Sequence, residues 1–198
     1  MKRTNLTLLA FALVPTIAAW TGAQYIATLQ PSSRLWVTGT STVRDFSCQA
    51  KIVDASAQTT SAQTAKDIMA GQKAVLTLDV KILPKNLDCA NNTMNEHMLK
   101  ALKAKTNPTI VFKLASYDLA KQAEVVRVTL NGTLAMGGVE KPISLTANAT
   151  EGTSGTLHVV GTHELRMTEW GLKPPTLMLG TMKVDERIKV GFDLLLKD

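Results

Sequence analysis

The chain has 198 residues, 45% of them hydrophobic, with 22 basic against 16 acidic residues and two cysteines. The basic residues are scattered rather than run together, and aromatics make up only 5%, which argues against a nucleic-acid-binding surface. Two cysteines without CxxC spacing, and without histidines at ligand spacing, make a poor structural zinc site, which needs four clustered ligands.

The first 23 residues have the layout of a secretory signal: Lys2 and Arg3, an apolar run from Leu6 to Ala19, then Thr21, Gly22 and Ala23. That run has fourteen residues, short of the roughly 20 that a membrane helix needs. Cleavage is expected after Ala23, leaving residues 24–198 as one domain that is periplasmic or secreted. Losing Lys2 and Arg3 lowers the basic count to 20 against 16 acidic residues, a mild net charge of +4. Transient contact with a membrane surface fits that charge. An oxidising compartment turns an even cysteine count into an expected disulfide, Cys48 to Cys89.

In chain order, Leu35 with Val37, and then the stretch from Val43 to Val53, read as two irregular strands. Residues 62–70 carry a short helical pattern with Ile68 and Met69 inward. Ala74, Leu76, Leu78, Val80 and Ile82 alternate with polar residues, the period of two that marks a half-buried strand. Thr93 and Glu96 have the spacing of a capping box, and Met94, Met98, Ala101 and Leu102 share a helical face, so a helix is expected over 93–104. Asn107-Pro108 ends it.

Alternation then returns at Ile110, Phe112 and Leu114, at Val126 to Leu134, at Ile143 to Ala147, at Leu157 to Leu165, and at Ile188 to Leu196. Turn residues at Asp118 to Gln122, Gly137-Gly138 and Gly152 to Gly155 connect these runs as hairpins. Eight antiparallel strands of this kind form an up-and-down barrel with one or two short helices, and a two-sheet sandwich uses the same pattern.

Catalytic chemistry is not evident, and no enzyme is expected. His158 and His163 are an odd number of residues apart on one strand and so point to opposite faces; a surface position is expected for both and for His97. Asp185-Glu186 and Arg44-Asp45 read as solvated pairs. No metal site is expected. The segment from Thr168 to Phe192 is stiffened by Pro174-Pro175 yet carries Trp170, Leu172, Leu177, Met178 and Leu179, more apolar surface than a solvent loop should hold. It is either a lid on a packed barrel or a flap at the mouth of an apolar cavity.

Four stretches together, GTSTVRDFSCQA, MNEHMLKALKAKTNPTIVFKL, LNGTLAMGGVEKPISL and RMTEWGLKPPTLMLGTMKVDERIKVGFDL, resemble in order and spacing the YceI-like family of secreted bacterial proteins. The resemblance runs from about Leu35 to Leu196. It implies a lipocalin-like eight-stranded barrel whose apolar tunnel binds a polyisoprenoid lipid. No cofactor is implied beyond a bound isoprenoid lipid or quinone, and the protein is expected to be a monomer or homodimer.

The tunnel lining implied is Leu35, Val37, Leu76, Leu78 and Val80 from the first half of the chain. From the second half come Ile110, Phe112, Val128, Leu130, Val190 and Phe192, with Trp170, Leu177 and Met178 at one mouth. The same residues suit a filled barrel without lipid cargo, a stress-related interaction protein, and that alternative stays open on sequence. A Cys48 to Cys89 bridge would pin the helix after Cys89 against the barrel.

Overall fold

The computed structural model describes residues 24–177 and 181–198, and every side chain among them except that of Leu177. The expected signal segment therefore lies outside the described residues, as do Met178, Leu179 and Gly180.

Among the described residues twelve strands form a single sheet, with two α-helices. The early strands are β1 (Tyr25–Leu29), β2 (Arg34–Ser41), β3 (Phe46–Ala50), β4 (Asp54–Thr59), β5 (Val75–Ile82) and β6 (Leu87–Asp88). The later ones are β7 (Ile110–Gln122), β8 (Val125–Met136), β9 (Val139–Glu151), β10 (Leu157–Arg166), β11 (Thr176–Leu177) and β12 (Met182–Lys197). Helix α1 (Thr64–Met69) lies between β4 and β5, and α2 (Asn92–Ala101) between β6 and β7.

The order β1-β4-β5-β7-β8-β9-β10-β12 closes on itself because β1 pairs with both β4 and β12. Every pairing in the ring is antiparallel, giving an eight-stranded barrel with no open edge. β2 continues β1 along β12, and β3 precedes β4 in the neighbouring staff, so two of the eight staves are each broken in the middle. In the first stave the break falls at Pro31, which has no N–H to give a ladder. There Gln30 N–H donates to the Leu195 carbonyl at 2.7 Å and Leu195 N–H donates to Ser33 Oγ at 2.9 Å, so the ladder is bridged by substitutes.

Several expectations from alternation need correction. Strand β1 and the Asp54–Thr59 half of the second stave have no hydrophobic alternation, because their buried inward positions are only Ala27, Ala57 and Thr59. Val43 is not in a strand: it sits exposed in the turn between β2 and β3. The expected turn at Asp118 to Gln122 is strand, since a bulge between Leu114 and Ser116 changes the phase and brings Tyr117 inward. The turn comes later, at Ala123, which takes the left-handed backbone at φ 52. Gly137 and Gly138, at φ 59 and 87, make the expected two-residue hairpin.

Helix α2 begins earlier than the capping-box spacing predicts. Asn91, not Thr93, is its N-cap, and its side chain accepts from Met94 N–H at 2.9 Å. Asn95 is then placed to accept from Cys89 N–H and donate to Asp88, so the turn before the helix is tied to its first turn.

The hairpin topology places the two helices at opposite ends of the barrel. The β2–β3 turn, α2, the Gly137-Gly138 turn and residues 167–176 gather at one end. α1 and the turns after β7 and β9 occupy the other.

Candidate functional site: an apolar cavity along the barrel axis

The barrel is hollow. A cavity of about 540 Å³ runs inside it, within the range of small-molecule binding sites. At one end it reaches Ile68 of α1 and Ala149 of β9, and at the other Met94, His97 and Met98 of α2.

Ten of the fourteen residues expected to line a tunnel do face this space. Leu35 and Val37 of β2, Leu78 and Val80 of β5, and Ile110 and Phe112 of β7 form one side. Val128 and Leu130 of β8 and Val190 and Phe192 of β12 form another. Leu76 does not: β5 bulges there, with Thr77 opposite Gln58 but Val75 opposite Thr59, so Leu76 is the extra residue and points out, 49% exposed. Trp170 is buried in the core rather than on the cavity wall, and its indole Nε1 donates to the Leu134 carbonyl at 3.0 Å. Gly171, at φ 61, turns the chain so that Trp170 and Leu172 both tuck under the β8–β9 hairpin. The side chain of Leu177 and all of Met178 lie outside the described residues.

A barrel with three inward phenylalanines would ordinarily be filled by them. Here each ring lies against a glycine on an adjacent strand: Phe46 on Gly39, Phe112 on Gly132 and Phe192 on Gly161. A Cβ at Gly39 would fall 2.5 Å from the Phe46 ring, and one at Gly132 would fall 2.8 Å from the Phe112 ring. Without a side chain beneath it, the ring can lie flat on the sheet, the arrangement that shields a strand glycine. The rings thus thicken the wall and leave the axis open.

Polarity is concentrated at the α2 end. Ser41 and Arg44 from the β2–β3 turn, and Asn91, Thr93 and His97 from α2, line the cavity there. Ser41 accepts from Val43 N–H and Arg44 N–H and donates to the Arg44 carbonyl at 2.7 Å, so this turn is held by its own first residue. Arg44 is the one charged side chain among the described lining residues, and its guanidinium has no ion-pair partner among the described residues.

Arg44 and Asp45 are both exposed in the β2–β3 turn, as the sequence reading expects, and Arg44 also borders the cavity. One sequence reading changes with this geometry. His97 and His163 face the cavity instead of the surface, while His158 points outward and meets Asp193 Oδ1 at 2.8 Å. The odd spacing of His158 and His163 does separate their faces, as expected. Burial holds the His163 imidazole below its usual range, and the neighbouring Glu164 opposes this, so it stands neutral in an apolar wall. Deeper in the cavity, Tyr117 accepts from Val75 N–H at 2.9 Å. Its own hydroxyl is pushed up by burial, against the pull of the Val75 amide and Lys73.

The α2 end is fastened covalently. Cys48 of β3 and Cys89, just before α2, form the expected disulfide, and both border the cavity. Around it, Asp88 ion-pairs with Lys51 at 2.9 Å. Hydrogen bonds from Asn95 and Lys51, joined by the Ala90 amide, lower the Asp88 carboxyl to about 2. No group of three or more His, Cys, Asp or Glu is placed to hold a metal ion among the described residues.

A closed antiparallel barrel around one elongated apolar cavity, capped by a helix at each end, defines a lipocalin-like fold. The chain belongs to the YceI-like family, whose domain description matches residues 29–196. Its fold is similar to that of Burkholderia cenocepacia BcnA, at 13% identity and a TM-score of 0.62 over 82% of this chain and 95% of that one. A polyisoprenoid binding domain from Saccharophagus degradans matches at 12% identity and a TM-score of 0.62, over 86% and 97%. The Campylobacter jejuni YCEI protein matches at 17% identity and a TM-score of 0.55, over 98% and 97%. No curated protein matches the chain.

Proposed function

We propose that this protein is a periplasmic binding protein that holds an isoprenoid-type lipid, a polyprenyl chain or the tail of a quinone, inside the barrel and performs no chemistry on it. The observation that carries this reading is one cavity of about 540 Å³, mostly apolar, with its polar side chains gathered chiefly toward α2. That asymmetry suits an amphiphile lying tail-down, with its head near Arg44 and His97. The likeness to a polyisoprenoid binding domain supports the same class of ligand, and the signal-like first 23 residues with the Cys48–Cys89 bridge support an oxidising compartment.

Energetics are sufficient. At about 0.8 kcal/mol per buried CH₂, some ten carbons approach the ~8 kcal/mol of micromolar binding before ordering costs. The described lining holds two imidazoles, His97 and His163, and no carboxylate; loss of activity on a lipid ester in a His97→Ala variant, with binding kept, would point to an enzyme instead. The open volume also speaks against the filled-barrel alternative.

The test is titration of delipidated protein with a long-chain polyprenol, followed by calorimetry. Saturable binding is expected for the wild type, and Val190→Trp, which puts an indole into the cavity, should weaken it at least tenfold. Equal heats for both proteins, or none for either, would refute the reading.

A further inference from the structure

We infer that α1 is a depth stop that sets the length of the lipid tail the barrel accepts, and that Asp198 is the positioning residue that holds it in place. This rests on the lipid-binding reading above. The cavity ends against Ile68, which is 3% exposed and belongs both to the cavity wall and to the cluster that seats α1. Ala65 packs in the same cluster, with Tyr117, Val126, Ala149 and Leu157 among its other members. Directly beyond lies a separate void of about 20 Å³, bordered by Thr64, Ala65 and Asp198. Ala57, Val75, Leu157 and Leu196 border both spaces. α1 stands between the two spaces, with Ile68 bordering the cavity and Thr64 and Ala65 bordering the void.

A helix of six residues cannot hold itself in place. The residue before α1, Gln63, makes no side-chain cap. The capping is done from the far end of the chain. Asp198, immediately after β12, accepts from Thr64 N–H at 2.8 Å and from Thr64 Oγ1 at 2.6 Å. One carboxylate thus satisfies a helix-start amide and a buried hydroxyl together, latching α1 across the barrel end. The wall nearby mixes the small residues Ala57 and Ala149 with Tyr117, Leu157 and Leu196, and Ile68 is the α1 side chain that meets the cavity among them.

The experiment compares affinities for all-trans polyprenols of graded length, from farnesol to undecaprenol, in the full protein. In the wild type, affinity should rise with length and then level off or fall. Ile68→Ala should move that limit outward by about one isoprene unit and bind the first alcohol beyond the wild-type limit about tenfold more tightly. Ile68→Val should move it less, and serves if the alanine variant does not fold. Asp198→Ala should blur the limit, while Asp198→Asn, whose amide oxygen can still accept from Thr64 N–H, should restore it.

A merely structural role for Asp198 would lower the melting temperature and leave the length profile unchanged, which would overturn its part in the proposal. Identical length limits for the wild type and Ile68→Ala would overturn the depth stop while leaving the carrier reading intact. Failure of the wild type to bind any alcohol would overturn both.

Discussion

The two ends of the barrel are closed by different physics. α1 has three buried residues, Thr64, Ala65 and Ile68, and is held by noncovalent capping from Asp198. α2 has no fully buried residue, although three of its apolar side chains, Met94, Met98 and Ala101, face the cavity. What holds it is the covalent bridge from Cys89 to Cys48, the short β6–β3 pairing and the Asp88 cluster. A helix over an open cavity forgoes the burial that normally fixes a helix, and the chain supplies a disulfide where packing is lacking. The tethered end is the more polar one and the other is packed, which under the proposed lipid binding suits an entrance and a floor.

Removing the bridge should have the largest effect. The double substitution Cys48→Ala with Cys89→Ala should lose about 2–4 kcal/mol of stability, less than or equal to the chain-entropy figure for a separation of 41 residues. Hydrogen exchange should quicken in α2 and remain slow in α1. Uniform acceleration at both ends would dissolve the contrast.

Next comes the wall between the ends. Gly161→Ala should drive the Phe192 ring off the strand, cost about 1–3 kcal/mol through overpacking, and reduce the lipid capacity of the cavity. A variant with unchanged melting temperature and capacity would show that the ring has room to move aside.

At the floor, Asp198→Ala should cost about 1 kcal/mol, the usual scale for loss of a helix cap. Exchange should then quicken in α1 and not in α2, the mirror image of the cysteine result.

The smallest effect is a pH dependence at the entrance. The Asp88 carboxyl is held at about 2 against an ordinary 3.8. A depressed carboxylate contributes stability that is fully present above pH 3.8 and is lost as pH falls through about 2. Thermal melts across this window should show a loss in the wild type that Asp88→Asn removes.

Much of this architecture is legible in the sequence, because alternation survives wherever large apolar residues face the cavity. Ile110 to Leu114, Val126 to Leu134 and Ile188 to Leu196 show it, and so does the inward face of α2 at Met94 and Met98. Strands β1 and β4 stay hidden because the positions they bury are alanines and a threonine, which carry little periodic signal. Leu76 is misleading because a bulge shifts the phase, and nothing local marks the bulge.

The hollow interior has a signal that alternation does not use: Gly39, Gly132 and Gly161 fall within strand patterns, where glycine often marks a close approach. Their pairing with Phe46, Phe112 and Phe192 emerges only from cross-strand register. The Arg44 and His97 positions depend on how a turn and a helix fold over the mouth. The Asp198 latch joins residues 134 apart, a separation that no local pattern reports.

The central claim is that the space along the barrel axis is kept open for a lipid. Native mass spectrometry of the protein purified from its own cell envelope with the disulfide intact, followed by organic extraction, tests it most directly. The account predicts a stoichiometric isoprenoid-type lipid that leaves on extraction. A protein that arrives empty and takes up neither added polyprenol nor quinone would contradict it.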